Sequence, residues 1–209
     1  MEGRTAASRK YLKHVPGAIG VDEAGRGPLA GPVVVAAVVL PERFKIKGIN
    51  DSKKLAPEVR EELASKIREV ARFRIVLGDL DAITKLNILH ATLWAMADAV
   101  AGLEVEAERI LIDGDKVPVP LQGKAEAVIE GDGKFACIAA ASILAKTERD
   151  RIMREMAPLY PEYGFERHFG YATPEHMAAI EKHGPCPIHR LTFSPFVEAY
   201  NQPCLTFDA

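Results

Sequence analysis

The chain has 209 residues, of which 48% are hydrophobic, 7% aromatic and 27% charged. That length suits one substantial domain and can bury a full core, which excludes a disordered chain and removes the need for metal or disulfide staples. The 27 Lys and Arg against 29 Asp and Glu give a net charge of −2, which on bulk charge alone speaks mildly against a nucleic-acid binder.

Residues 1–16 read as a frayed basic arm carrying Arg4, Arg9, Lys10 and Lys13 and ending at Pro16. They contain no apolar run, so a secretory signal is not expected. Residues 17–22 read as a short strand, and residues 32–40, rich in valine, as a second and well-buried one. The glycines and prolines between them mark a turn, so a hairpin opens the fold. The run 32–41 is about half of the ~20 residues that a membrane span needs, and a soluble protein is expected. Pro57 starts a helix whose buried stripe is Leu63, Ile67 and Val70. Residues 73–77 form a third strand. Residues 83–100 form a long helix with Leu86, Leu89, Leu93, Met96 and Val100 along one side. Two short strands follow, at 108–113 and 125–130, and then an Ala-rich helix at 135–156. Loop is expected at 158–170, a helix at 174–182 and a last short helix at 194–200. A hairpin followed by alternating helices and strands predicts an α/β domain, a mixed sheet flanked by helices, over residues 17–200 with a tail at 201–209. Cys137, Cys186 and Cys204 are odd in number and lack CxxC spacing, which favours a reducing cytoplasm.

Acids stand at the ends of these strands. Asp22 and Glu23 follow the first, Asp113 ends the strand before Gly114, and Asp132 lies between two glycines. Carboxylates beside glycines, with no thiolate or imidazole close in sequence, suit a hard cation such as Mg²⁺ or Mn²⁺. Two such ions a few Å apart stabilise both attacking and leaving oxygens in phosphodiester hydrolysis. Strand alternation puts Asp22 and Glu23 on opposite faces, so a shared site requires the chain to twist at Ala24-Gly25. Spacing alone leaves a metal site and a set of solvated turns equally open.

The string Gly20-Val-Asp-Glu-Ala-Gly-Arg-Gly-Pro-Leu-Ala-Gly-Pro32 resembles the signature of type 2 ribonuclease H (ribonuclease HII). The resemblance continues in order through Asn50-Asp-Ser-Lys-Lys-Leu55, Leu111-Ile-Asp-Gly114 and Ile138-Ala-Ala-Ala-Ser-Ile-Leu-Ala-Lys146. It ends with Tyr163-Gly-Phe165, Gly170-Tyr-Ala-Thr173 and Ile188-His-Arg190, covering about residues 17–197. It implies the ribonuclease H fold, with a helical C-terminal segment. It also implies an endoribonuclease that cleaves the RNA of RNA–DNA hybrids and incises DNA duplex 5′ of embedded ribonucleotides. Two-metal-ion hydrolysis leaving 3′-hydroxyl and 5′-phosphate ends is the expected reaction. On this resemblance Asp22, Glu23, Asp113 and Asp132 become the catalytic, metal-binding acids. Gly25, Arg26 and Gly27 sense the 2′-hydroxyl, and Tyr171 stacks where the ribonucleotide meets DNA. Ser52, Lys53, Lys54, Ser142 and Lys146 are expected to bind substrate, the last two on a helix face shared with Arg149. Arg149 itself reads either as part of that phosphate-facing stripe or as a solvated residue.

Asp115, Phe169, Gly133 and Cys137 depart from the common family choices, and Phe169 replaces a frequent lysine. His168, His176, His183 and His189 lack metal-ligand spacing and read as structural or phosphate-near residues. The tail Gln202-Pro-Cys-Leu-Thr-Phe207 is similar to the short peptides that dock on sliding clamps, with Gln202, Leu205 and Phe207 as anchors; the alternative is a tail folded back on the domain. A cytoplasmic monomer is expected. Two other functions fit parts of the chain: a haloacid-dehalogenase-like phosphatase using Asp113 and Asp115, and a non-catalytic nucleic-acid-binding module. The mild objection from net charge falls away under the ribonuclease reading, because four of the acids serve ions that would reverse the sign.

Overall fold

A computed structural model of the chain describes residues 12–43, 46, 48–49 and 51–197. Among them the strands β1 (Ile19–Ala24), β2 (Val33–Val39), β3 (Arg72–Gly78), β4 (Ile110–Asp113) and β5 (Ala125–Val128) form one sheet in the order β3-β2-β1-β4-β5. The pairs β1–β2 and β2–β3 are antiparallel, which makes the expected opening hairpin part of a three-stranded meander. The pairs β1–β4 and β4–β5 are parallel, so the chain must cross over to build them.

Helices α1 (Pro57–Val70) and α3 (Ala136–Met156) cover one face of the sheet, and α2 (Leu80–Ala101) covers the other. The parity of β1 makes this possible. Ile19 and Val21 pack toward α2, whereas Gly20 and Asp22 face α3. β2 is buried on both faces, which explains its unbroken run of valine and alanine. Each fully buried Val contributes roughly 1.5–3 kcal/mol. The short helices α4 (Phe165–His168) and α5 (Pro174–His183) close a third apolar cluster with Leu29, Ala30 and Phe196 beside the β1–β2 loop.

Several expectations need correction. Residues 12–16 are not a free arm: Leu12 and Val15 pack on the core, and Lys13 bridges to Phe135. Residues 1–11 lie outside the described residues. Val70 is 48% exposed, and the buried face of α1 is Arg60, Leu63, Ala64 and Ile67, one turn earlier. In α2, Leu86 is exposed because the helix breaks at Asn87, which has φ 62°. The Asn87 side chain accepts from the His90 amide, capping the segment that follows and resetting its face to Ala91, Thr92, Ala95, Met96 and Ala99. The expected loop at 158–170 contains α4. Of the last expected helix, residues 194–195 form a turn and 198–200 lie outside the described residues, as does the tail 201–209. Among the described residues no helix is long and apolar enough to cross a membrane.

Candidate active site

The register of the sheet brings the first acids together. Ile19, Gly20 and Val21 of β1 pair with Ile110, Leu111 and Ile112 of β4, so the next step puts Asp22 beside Asp113 on the same face. Asp113 is the last residue of β4, and Val128 is its partner on β5. The Gly131 amide donates to Asp113 Oδ1 at 2.7 Å, which folds the turn after β5 back over the strand ends and delivers Asp132. Three parallel strands thus end at one cleft, the place where open α/β sheets bind ligands.

Glu23 follows Asp22 on the strand, and its amide donates to Asp22 Oδ1 at 2.6 Å. The chain leaves β1 at Gly25, whose φ of +92° favours glycine. Asp113 interacts electrostatically with both Asp22 and Glu23, so the neighbouring acids share a site despite their alternation. Burial, then Glu23 and Asp113, push the Asp22 carboxyl well above its ordinary range. Burial also raises Glu23, opposed by the Arg26 guanidinium, with Asp113 adding to the rise. Asp132 is raised by burial and by Asp51 and Asp113. Packing carboxylates this closely is costly unless a cation offsets their repulsion. The donors are oxygen throughout, which fits Mg²⁺ or Mn²⁺. Among the described residues no three metal-ligating side chains already stand at coordinating distance, so the acids converge without forming a closed shell.

The residues expected to bind substrate divide into two groups. Gly27, Arg26, Lys53, Lys54 and Tyr171 are exposed around the acids. Arg26 reaches Glu23 at 3.4 Å and Lys54 pairs with Asp51 at 3.3 Å. The Tyr171 ring lies against Gly27, 3.9 Å from where a Cβ would stand. Ser52 and Ser142, by contrast, are buried with their hydroxyls 2.9 Å apart, and Ser142 bonds to Asp22. Both lie beside the acid, inside the exposed ring of Arg26, Lys53, Lys54 and Tyr171. Lys146 is half-buried, bonded to Asp150 at 2.6 Å and sitting 5.0 Å over the Phe169 ring and 5.9 Å over Tyr171. Phe169 therefore holds a cation where a lysine is common. Arg149, on the same helix face, is fully buried, so it is itself neither solvated nor open to phosphate.

Other residues were missed by sequence reasoning. Arg60 is buried, donates to the Ser52 carbonyl at 2.9 Å and pairs with Asp150, fixing the turn at Ser52–Lys54. Asp51 caps that turn through the Lys53 amide. Arg190 bonds the carbonyls of Gly25, Arg26 and Gly31, and Arg149 bonds those of Ala30, Pro32 and Phe169. The sequence signalled Arg190 only by its place in Ile188-His-Arg190 and Arg149 only by a helix face shared with Ser142 and Lys146, because nothing local marks an arginine as buried. Asp115 is exposed and pairs with Lys116 at 3.5 Å. Burial lifts the Cys137 thiol to about 11, leaving it unreactive.

His176 and His189 are buried and bonded to one another. His189 accepts from the Cys186 amide at Nδ1, so its Nε2–H points to His176 Nε2 at 3.1 Å; His176 then donates from Nδ1 to the Tyr171 carbonyl at 2.9 Å. This chain works only with neutral rings. Burial, then His176, draw His189 down to about 4. Because the unfolded chain binds the proton more readily, stability falls as pH drops from about 6.5 toward 4. Urea unfolding at pH 7 and pH 5 should differ by about 2 kcal/mol from His189 alone, and His189→Gln should remove most of that slope.

Comparison with known proteins agrees with this geometry. A family model described as Ribonuclease HII matches residues 19–195. The ribonuclease HII of Idiomarina loihiensis is 52% identical over 177 residues, covering 84% of this chain and 94% of that protein. That of Dechloromonas aromatica is 54% identical, covering 84% and 90%. Among solved structures, the ribonuclease HII in a complex with PCNA from Archaeoglobus fulgidus superposes with a TM-score of 0.73 at 27% identity, covering 84% of this chain and 94% of that one. Ribonuclease H2 from Pyrococcus horikoshii gives 0.71 at 28% identity, covering 87% and 95%.

Proposed function

The chain belongs to the ribonuclease HII family, and from that premise we propose that Asp22, Glu23, Asp113 and Asp132 are its catalytic, metal-binding acids. The protein is an endoribonuclease acting on RNA–DNA hybrids, with the ribonuclease H-like α/β fold. The phosphatase and non-catalytic readings have no support, and the exposure of Asp115 removes the second acid that the phosphatase needs. One observation carries the assignment of the acids: the register that stands Asp22 beside Asp113, with Asp132 folded over both strand ends.

In that reading two divalent ions, Mg²⁺ or Mn²⁺, supply Lewis-acid stabilisation of the phosphate oxygens undergoing displacement. The chain's own residues do the rest. Ser142 and the Glu23 amide orient the Asp22 carboxyl, and the Gly131 amide orients Asp113. Lys53 and Lys54 offer exposed ammonium groups to the substrate backbone. The Gly25-Arg26-Gly27 turn presents main chain to the sugar edge, where the 2′-hydroxyl separates RNA from DNA. Tyr171, packed on Gly27, stacks against the neighbouring base or sugar. Ser52, Ser142 and Lys146 act through Asp22 and Tyr171 and not by touching the substrate.

The finer specificity is incision 5′ of a single ribonucleotide in DNA. It predicts nicking of a duplex containing one ribonucleotide, with Mg²⁺ or Mn²⁺, leaving a 3′-hydroxyl and a 5′-phosphate. An all-DNA duplex should stay intact. Cleavage of both duplexes, or of neither, refutes it. The PCNA complex formed by the archaeal relative favours a clamp contact here as well, through Gln202, Leu205 and Phe207, which lie outside the described residues. Removing residues 202–209 should weaken clamp binding and leave incision unchanged. A cytoplasmic location and a monomeric state complete the proposal, in line with the absence of disulfide spacing.

A further inference from the structure

Arg149 and Arg190 are 0% and 1% exposed, and among the described residues neither forms an ion pair. A buried guanidinium without a carboxylate is expensive, and the compensation here is main-chain carbonyl oxygen. Arg190 donates from Nε to Gly31 at 2.8 Å, from one terminal nitrogen to Arg26 at 2.9 Å and from the other to Gly25 at 2.6 Å. The segment carrying it is stitched to the same loop: the Gly31 amide donates to Ile188, and the Arg190 amide donates to Leu29. Gly25 leans on the Arg149 side chain, so the turn is backed by both guanidinium groups.

The direction of these bonds has a necessary geometric consequence. In a trans peptide the carbonyl and the following amide point in opposite directions. With the Gly25 and Arg26 carbonyls drawn inward, the Arg26 and Gly27 amides must point outward. Both residues are exposed, on the side where Tyr171 lies. We propose that Arg190 is a positioning residue for ribose recognition: by holding the carbonyls of Gly25 and Arg26 inward, it aims the amides of Arg26 and Gly27 at the 2′-hydroxyl of the substrate. The inference rests on the ribonuclease reading above and gives its specificity a cause. The three carbonyls are bonded from three separate nitrogens of one rigid plane, which the single, freely rotating ammonium of lysine cannot reproduce.

The test compares binding of a duplex with one ribonucleotide against an all-DNA duplex of the same sequence, kept intact with Ca²⁺. The unsubstituted chain should prefer the ribonucleotide. Arg190→Lys should lose that preference by about tenfold or more, the value of one or two hydrogen bonds, while affinity for the all-DNA duplex holds. A general loss of structure would weaken both duplexes alike. If Arg190→Lys keeps the full preference, the inference is overturned while the ribonuclease reading stands. If the unsubstituted chain shows no preference, the ribonuclease specificity itself fails. Amide exchange in the unsubstituted chain tests the point without a variant that must fold. Exchange at Arg26 and Gly27 should slow on the ribonucleotide duplex and not on DNA; equal behaviour on both overturns the inference.

Discussion

Replacing Asp22 by Asn is expected to lower cleavage of a single-ribonucleotide duplex by on the order of a thousandfold or more, while the protein gains thermal stability in the absence of divalent ions. The first effect follows from position. Asp22 stands beside Asp113 and is oriented by Ser142 and the Glu23 amide, so its carboxylate is the best-fixed oxygen donor in the cleft. Loss of an outer partner of a metal ligand costs about ten- to hundredfold, and loss of the ligand itself costs more. The second effect follows from electrostatics. Burial and two neighbouring acids oppose its ionised form, so an amide of the same shape relieves a folded state that carries this repulsion. Incision assays and ion-free melting curves on the two proteins check both halves. A variant that is inactive but also less stable would mean that Asp22 acts as a structural anchor.

Gly20→Ala is expected to destabilise the protein by about 3 kcal/mol, the upper part of the range for overpacking a core. In a chain of this size that corresponds to a melting temperature roughly 6–12 °C lower. A Cβ at this position would overlap the main chain of Cys137 and Ile138, far inside the ~3.5 Å of ordinary contact. Neither side can turn away, since one is the central strand β1 and the other the backbone of α3. Relief requires α3 to move off the sheet. Ser142 rides on that helix and Asp22 is two residues along β1, so the same displacement pulls the hydroxyl from the carboxyl. Activity should fall along with stability. A melting temperature within 2 °C of the parent's (~0.5 kcal/mol) would show that the helix and strand accommodate the methyl group.

Much of this was legible in the sequence, and the failures have a common cause. The valines of β2 announce a strand buried on both sides, and the glycines after Ala24 announce the turn. The acids at strand ends were visible as candidates, but their union was not. It depends on the pairing of residues 19–21 with 110–112, a register that no local pattern encodes. Amphipathic stripes misled where the backbone departs from a regular helix. The stripe through Leu86 assumed a continuous α2, and Asn87 resets it. That Ser52 and Ser142 are buried against one another and against Asp22 was not legible, because no local pattern shows which polar side chains turn inward. Here each finds its partner inside, in a hydroxyl and a carboxyl. Arg149 and Arg190 were illegible for the same reason, since their partners are carbonyls that only the folded loop collects.

The order in which the chain emerges during synthesis gives the stitched β1–β2 loop a further importance. All four acids and all five strands are present once the chain has grown past Asp132, and α3, which follows at once, supplies the face on which Gly20 and Asp22 pack. The β1–β2 loop is different. Its residues are tied to Gly170, to Ile188 and to Arg190, all made last. A domain generally folds as a unit once its chain is available. The β1–β2 loop is therefore fixed by partners that lie far along the chain from it. Until Arg190 is made, the carbonyls of Gly25, Arg26 and Gly31 lack the donors that hold them in the finished fold.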